Sequence, residues 1–358
     1  MKNFKIITVS AFSLILSACG GKSVDIVIPD NNCPNDKTLV TKALNGDEEA
    51  GLQIAHMYYN GEGVIQDYTE AIKWYRYWAE RGNPYAQYYM GICHDEGRGL
   101  EASLTKAMDY YKQSFLEFKS RAEKGDKDAM LYLGKLYSQG KYVTKDLSAA
   151  VKWYREAAEQ GDAKAQYTLG SCYDEGRGVA RNSEEAVKWY RQAADQGNAE
   201  AQCALGACFE EGRGVEKSDT EAVKWYRLSA EQGNADAQCN LGYCYDEGIG
   251  VEQSAGEAVN WYRLSAEQGN ADAQCNLGYC FDEGIGVEQS AEEAVNWYRL
   301  SAEQGNATAQ NNLGYCYETG TGVEASLNEA IKWYKLSAKQ CNESSIANLR
   351  SKGITDYD

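Results

Sequence analysis

The sequence predicts an all-α solenoid, a stack of eight helix-turn-helix repeats of 36 residues. A Trp-Tyr pair recurs at 36-residue intervals, and the Gly of a Leu-Gly pair follows every Trp of this series except the last by 17 residues. Between these markers, apolar residues are spaced three and four apart, as on one face of an α-helix. Because a fixed period of about 20 to 50 residues is typical of repeat arrays, the length does not indicate two or three globular domains. The Trp residues are Trp153, Trp189, Trp225, Trp261, Trp297 and Trp333, and the glycines are Gly170, Gly206, Gly242, Gly278 and Gly314.

Two earlier aromatic pairs extend the series towards the N-terminus. They begin at Trp74 and Tyr110, and Tyr110 lies 43 residues before Trp153, which is seven more than the period. Seven residues are about two helical turns. We therefore expect residues 113–122 to lengthen one helix without rotating its buried face.

The repeats fill residues 39–341 and end in a half-repeat. Their starts lie near residues 47, 83, 126, 162, 198, 234, 270 and 306. In residues 342–358, Leu349 keeps the Leu of the Leu-Gly pair, but Arg350 replaces the Gly. Since repeat arrays need a terminal unit that covers the last apolar face, this segment is predicted to be a C-terminal cap.

Each repeat is predicted to hold two antiparallel helices. In the repeat that starts near residue 198, Gly212 can adopt the left-handed conformation that ends the first helix. Ser218 or Asp219 is a suitable N-cap for the second helix. We expect the small Gly206 to face Ala222, so that the two helices approach closely.

The first 18 residues are predicted to be a signal peptide. Lys2 and Lys5 precede an apolar run over residues 6–16. A permanent membrane span needs about 20 apolar residues, so this run is too short to be one.

The sequence Leu16-Ser17-Ala18-Cys19 that follows resembles the bacterial lipobox. That resemblance implies that Cys19 becomes the lipidated first residue of the mature protein, anchored in the cell envelope. Gly20 then implies the outer membrane in a diderm bacterium, and residues 19–38 would be a flexible tether. The alternative is an ordinary signal peptide in which Cys19 is incidental.

Charge and composition exclude several classes of function. The chain has 36 Lys and Arg against 53 Asp and Glu, a formal charge of −17. Nucleic acids and anionic lipid surfaces need clustered cations, so neither is an expected partner, and a basic partner is favoured. The two histidines, His56 and His94, lie in different repeats without a nucleophile motif, and no phosphate-binding loop follows a strand. We expect no enzyme, no cofactor and no metal site.

The cysteines leave two interpretations open. One set lies two residues after the motif Gly, where a small buried thiol fits the core. A second set, Cys203, Cys239 and Cys275, lies five residues earlier in the helix, which is too far for a disulfide within one helix. Any bridge would therefore join neighbouring repeats, for example Cys244 to Cys275.

Residues Ala235 to Val251, followed by Glu257 to Tyr262, resemble the Sel-one-like repeat, a 36-residue relative of the tetratricopeptide repeat. The resemblance extends over residues 47–341. It implies a right-handed superhelix whose concave face binds a protein or peptide, so a non-enzymatic, envelope-anchored scaffold is expected. Two alternatives are a weak β-lactam-binding or β-lactamase-like enzyme of a cysteine-rich secreted branch, and a surface protein that mediates host interaction. Of the paired cysteines of that branch, only Cys341 falls near a matching position.

The candidate peptide groove lies on the first helices of the later repeats. By analogy with related folds, these helices line the groove, and their outward positions repeat a Tyr, an Asn and a carboxylate that can bond to an extended peptide. The alternative is that the ladder is merely copied consensus from recent duplication. The residues are Asn240, Tyr243, Asp246, Asn276, Tyr279, Asp282, Asn312 and Tyr315.

Overall fold

The computed structural model describes residues 13–14, 26–27, 34 and 37–357. Strands β1 (Ser13–Leu14) and β2 (Ile26–Val27) pair antiparallel within the segments predicted as signal peptide and tether. The sequence pattern does not indicate this pairing. The remainder of the predicted signal peptide, the lipidation residue Cys19 and most of the tether lie outside the described residues.

Eighteen helices fill the range 37–357 and confirm the predicted all-α repeat fold. Helix α1 (Lys37–Leu44) precedes the first repeat, and α18 (Glu343–Ser351) follows the eighth. The first helices of the repeats are α2 (Glu48–Asn60), α4 (Pro84–Glu96), α6 (Lys127–Gln139), α8 (Ala163–Glu175), α10 (Ala199–Glu211), α12 (Ala235–Glu247), α14 (Ala271–Glu283) and α16 (Ala307–Thr319). The second helices are α3 (Tyr68–Ala79), α5 (Leu104–Ala122), α7 (Leu147–Glu159), α9 (Ser183–Asp195), α11 (Asp219–Glu231), α13 (Ala255–Glu267), α15 (Ala291–Glu303) and α17 (Leu327–Ala338).

Capping residues set the bounds of these helices. Gly212 has φ +70° and ends α10, and Ser218 is the N-cap of α11, as the sequence predicts. The side chain of Asn270 accepts a hydrogen bond from the Ala273 amide, which satisfies a backbone donor at the start of α14. Every predicted repeat start is the N-cap of a first helix: Asp47, Asn83, Asp126, Asp162, Asn198, Asn234, Asn270 and Asn306.

The motif glycines let the two helices of a repeat pack closely. A Cβ at Gly206 would lie 2.7 Å from the ring of Tyr226 and 3.2 Å from the carbonyl oxygen of Ala222. The close approach to Ala222 is thus present, but the aromatic ring is the nearer neighbour. This Tyr is the second residue of the Trp-Tyr pair and is almost fully buried.

The chain forms two compact units, residues 1–160 and 161–358. The first contains α5, which runs for 19 residues because of the predicted lengthening, and α1, a helix that the repeat pattern does not predict. The second ends with α18, whose Leu349 is fully buried against Tyr334 of α17.

Buried glutamines connect successive repeats of the second unit. Gln274 donates from Nε2 to the Ala266 carbonyl (3.1 Å), and its Oε1 accepts from Gln304 Nε2 (2.8 Å). Because both partners are present, burying this amide carries little penalty. The same amide pair recurs as Gln196 with Gln166, Gln232 with Gln202, Gln268 with Gln238, and Gln340 with Gln310.

The cysteines within residues 37–357 are free thiols, so the bridge between Cys244 and Cys275 is not formed. The set that follows the motif Gly is buried, which agrees with the core interpretation. Burial raises the pKa of Cys244 to about 12 and that of Cys280 to about 11. Cys341 is exposed.

Neither a membrane-spanning helix nor a metal-binding cluster occurs among the described residues. No helix among them combines the length and the apolar character that a bilayer crossing requires. Within the same residues, no three His, Cys, Asp or Glu side chains are grouped so that they could hold a metal ion.

Candidate functional site

The predicted ladder tyrosines project from the first helices of three successive repeats. Tyr243 of α12, Tyr279 of α14 and Tyr315 of α16 expose 44%, 48% and 55% of their surface. These values are high for large aromatic side chains in a protein whose other tyrosines are mostly buried. Each of the three is the residue after the motif Gly, where the packing against the second helix leaves one side of the first helix open.

Four of the predicted ladder residues, from two neighbouring repeats, line one small cavity. The cavity has a volume of about 220 Å³. Tyr279 and Asp282 enter it from α14, and Asn312 and Tyr315 enter it from α16. The structure therefore brings together side chains that lie about 30 residues apart in sequence. Glu283, Tyr298 and Asn311 complete the lining.

A buried tyrosine holds each ladder carboxylate, and sequence reasoning missed this partner. Tyr298 Oη donates to Asp282 Oδ2 at 3.4 Å, which occupies one of the two carboxylate oxygens. The donor is again the Tyr of the Trp-Tyr pair, 16 residues after the carboxylate, and this constant spacing is the signal that could have found it. Equivalent bonds join Tyr226 to Glu210 (2.6 Å) and Tyr334 to Glu318 (2.8 Å).

The ladder asparagines are half-buried, and two of them contact other side chains of the first helices. Asn240 Nδ2 lies 4.0 Å from the Sγ of Cys203 in the preceding repeat. Asn312 Oδ1 accepts a hydrogen bond of 3.4 Å from Asn311. Asn276 occupies the same position of α14 and is also half-buried.

The local environment raises the pKa of two ladder carboxyls. Burial raises the pKa of Asp246, the adjacent Glu247 raises it further, and a hydrogen bond from Tyr262 works in the opposite direction. The pKa of Asp282 is raised by burial and by Glu283, while Tyr298 lowers it. An approaching cation would relieve this unfavourable negative charge.

In other repeats, a cation from the next repeat neutralises the corresponding carboxylate. Arg213 Nη1 lies 2.6 and 2.5 Å from the two oxygens of Asp174. In the first unit, Lys141 pairs with Asp95 in the same way. At the C-terminal end, Lys352 of α18 lies 2.7 Å from Glu318.

The cation is missing from the middle of the ladder. Arg213 stands seven residues after its motif Gly, and the residues at that position in the next three repeats are Ile249, Ile285 and Thr321. Consequently no cation of the described chain lies within ion-pair distance of the three carboxylates that these residues would reach. Those carboxylates are Glu210, Asp246 and Asp282.

The repeat pattern matches a known family along most of the chain. The Sel1 repeat matches eight segments, residues 49–83, 84–115, 127–162, 163–198, 199–234, 235–270, 271–306 and 307–340. These segments agree closely with the repeat starts given by the N-cap residues.

Solved structures and curated proteins give the same picture. A Sel1 repeat protein from Oxalobacter formigenes is 30% identical with a TM-score of 0.59, and the alignment covers 88% of this chain and 89% of that one. The protein c5321, described as a protective antigen of uropathogenic Escherichia coli, is 38% identical with a TM-score of 0.58, and the alignment covers 87% of this chain and 66% of that one. The Arabidopsis thaliana HRD3B, a component of an ERAD-associated E3 ubiquitin-protein ligase, is 36% identical over 69 residues, 19% of this chain. The chain spans only 11% of the length of that curated relative.

Proposed function

Because the chain belongs to the Sel1 repeat family of helical scaffolds, we propose that it binds an extended basic segment of a partner protein. The binding surface is the ladder face of α10, α12, α14 and α16. The observation that carries the proposal is the missing cation beside Glu210, Asp246 and Asp282, when the corresponding carboxylates on both sides of them are paired. A partner with Lys or Arg side chains would supply those cations.

The spacing of the ladder suits an extended chain. Packed helices lie about 8–10 Å apart, and a peptide in the extended polyproline II conformation rises about 3.1 Å per residue with three residues per turn, so that every third side chain lies on the same face. A basic residue at every third position would therefore meet one carboxylate per repeat. The exposed Tyr279 and Tyr315 offer aromatic faces for the same cations, and the half-buried asparagines offer amide groups to the peptide backbone.

A direct test follows from the neighbouring repeats, where a cation such as Arg213 already pairs with the carboxylate. We call a variant that introduces such cations beside the ladder carboxylates the closed variant. In the double variant Ile285→Arg and Thr321→Arg, the new guanidinium groups are expected to pair with Asp246 and Asp282 as Arg213 pairs with Asp174. All proposed contact residues remain in place. Binding of a labelled peptide with Lys at every third position, measured by fluorescence anisotropy at low salt, should weaken about tenfold, since each exposed or half-buried ion pair contributes up to about 1 kcal/mol.

The matched control adds the same charge elsewhere on the same repeats. Asn260→Lys and Asn296→Lys introduce two cations on the second helices, where Lys188 and Lys224 stand in other repeats. This control should retain affinity. Equal binding by the closed variant and the control would refute the proposal, as would retention of a partner captured by crosslinking from native membranes when the closed variant is used as bait.

We further propose that the mature protein is anchored in the cell envelope through a lipid on Cys19. The lipobox-like sequence and the short apolar run before it support this proposal. Labelling of growing cells with an alkyne fatty acid should mark the chain and leave Cys19→Ala unmarked. Equal labelling of both, or recovery of the unaltered chain in the fraction without membranes, contradicts it.

A further inference from the structure

One cleft of the first unit lies between two second helices. It has a volume of about 720 Å³ and is bounded by α3 and α5, with the first helix α4 beneath. That volume is within the usual range for small-molecule sites, about 300–1,000 Å³. The polar lining is Arg76 of α3 and the C-cap Glu80 of that helix, Gln87 and His94 of α4, and Lys106, Asp109, Tyr110 and Gln113 of α5.

Four of these lining residues differ in type from the residues at the same positions of all, or all but one, of the other repeats. At the position of His94 the seven other repeats have Tyr or Phe, and at the position of Tyr110 they have Trp. At the position of Lys106 six of the seven have Glu, and at the position of Asp109 all seven have Lys or Asn. The charges on α5 are thus inverted, and the two aromatic residues are replaced by more polar ones, all around one cleft.

His94 lines this cleft and carries a buried polar atom without a partner. Only 7% of the residue is exposed, and its Nδ1 has no hydrogen-bond partner. Burial lowers the pKa of His94, as do the charges of Lys106 and Arg76, while a hydrogen bond to the backbone of Glu101 opposes this. The ring is therefore neutral near pH 7. Since the bond to Glu101 uses its single proton, Nδ1 is left as an acceptor that needs a donor.

Arg76 also lacks the partner that its position has elsewhere. In later repeats, Arg227 Nη2 lies 2.7 Å from the hydroxyl of Tyr245, and Arg263 lies 5.5 Å over the ring of Phe281. In both pairs the aromatic residue lies 18 positions after the Arg. The residue 18 positions after Arg76 is His94, which has neither the hydroxyl of Tyr nor the six-membered ring of Tyr and Phe. The guanidinium of Arg76 is in no ion pair among the described residues.

We propose that this cleft binds a small zwitterion of the amino-acid or dipeptide kind. Its carboxylate would lie between Arg76 and Lys106, and its ammonium group would face Glu80 and Asp109. An N–H of the ligand would donate to His94 Nδ1. A simple inorganic anion fits less well, because it would approach two carboxylates without a cation of its own.

Isothermal titration calorimetry with glycylglycine, using the full chain, tests this site. Binding is expected at a Kd of about 1 mM or tighter. N-acetylglycine lacks the ammonium group and glycinamide lacks the carboxylate, so each should bind at least about tenfold more weakly. His94→Phe restores the residue type of the other repeats and removes the unpartnered nitrogen, so it should fold with a thermal midpoint at least as high and lose the binding.

The charge arrangement has its own variant and its own control. Lys106→Glu with Asp109→Lys restores the pattern of the other repeats and should abolish binding. The mirror exchange in another repeat, Glu221→Lys with Lys224→Asp, changes the same number of charges and should leave binding intact. No heat of binding with any of the three compounds, equal affinity for His94→Phe, or equal affinity for phosphate alone would overturn the zwitterion site.

Discussion

The close contact between a motif glycine and the tyrosine ring predicts opposite effects for two Gly-to-Ala changes in neighbouring helices. A Cβ at Gly278 would lie 2.7 Å from Tyr298 Cδ1 and 3.3 Å from the carbonyl oxygen of Ala294. Gly256 in α13 has no atom within 4 Å of its Cβ position. Gly256 lies in the first turn of α13, so Ala there should stabilise the fold by at most about 1 kcal/mol from helix propensity.

Gly278→Ala gains the same propensity but must displace a ring that is 99% buried. Overpacking of this kind costs about 1–3 kcal/mol, so the net change is a destabilisation of up to about 2 kcal/mol. The difference between the two variants isolates the overpacking, about 1–3 kcal/mol. Tyr298 also holds Asp282, so its displacement should weaken the ladder.

Urea unfolding followed by Trp fluorescence measures both variants under the same conditions. The slope of the free energy with urea concentration must stay unchanged for the comparison to hold. If both alanine variants were stabilised equally, the packing of Gly278 against Tyr298 could not be as tight as the geometry indicates. That result would also remove the structural reason for the Gly in the Leu-Gly pair.

Three further predictions concern the repeat interface, the thiols and the ladder. Gln274→Ala removes the hydrogen bonds to Ala266 and Gln304 and should lower the free energy of unfolding by about 2–4 kcal/mol. The control Asn296→Ala, at an exposed position, should change it by no more than about 0.5 kcal/mol, and urea unfolding measures both variants. In a chain with Cys19, Cys33 and the half-buried Cys203 replaced by Ser, a disulfide reagent at pH 8 should label exposed Cys341 quickly and the buried thiols only on unfolding. Rapid labelling that persists when Cys341→Ser is added contradicts the burial. The pKa values of Asp246 and Asp282 lie above the ordinary Asp value of about 3.9. Binding of the basic peptide should weaken as the pH falls through these raised values, because protonated carboxyls no longer attract Lys. An affinity that is unchanged down to pH about 3.9 contradicts the role of the carboxylates. The same protonation should stabilise the fold, since a carboxyl whose folded pKa is raised disfavours its charged form.

Much of the fold could be predicted because each local signal occurs eight times. The N-cap residues and left-handed glycines act within a few residues of sequence, so Gly212 and Ser218 were placed correctly. Helix α1 was missed because it carries no Trp-Tyr pair, and the pairing of Gln274 with Gln304 was missed because it joins residues 30 positions apart. The ladder tyrosines could be found from their spacing, whereas the bond from Tyr298 to Asp282 depends on the fold of the helix pair.

In an array of near-identical repeats, the departures from the repeat are more informative about binding than the residues that recur. Recurrent residues such as the motif Gly and the buried Gln pack one repeat against the next. Ile285 and Thr321 depart from the cation that Arg213 provides, and they leave carboxylates with raised pKa values at the surface. His94 departs from the aromatic residue and leaves a buried nitrogen without a partner. Each departure is locally unfavourable for the isolated chain, and such unfavourable positions persist where a ligand compensates them. The carboxylates need cations and the imidazole needs a donor, which is why we propose a basic protein segment for the ladder and a small zwitterion for the cleft.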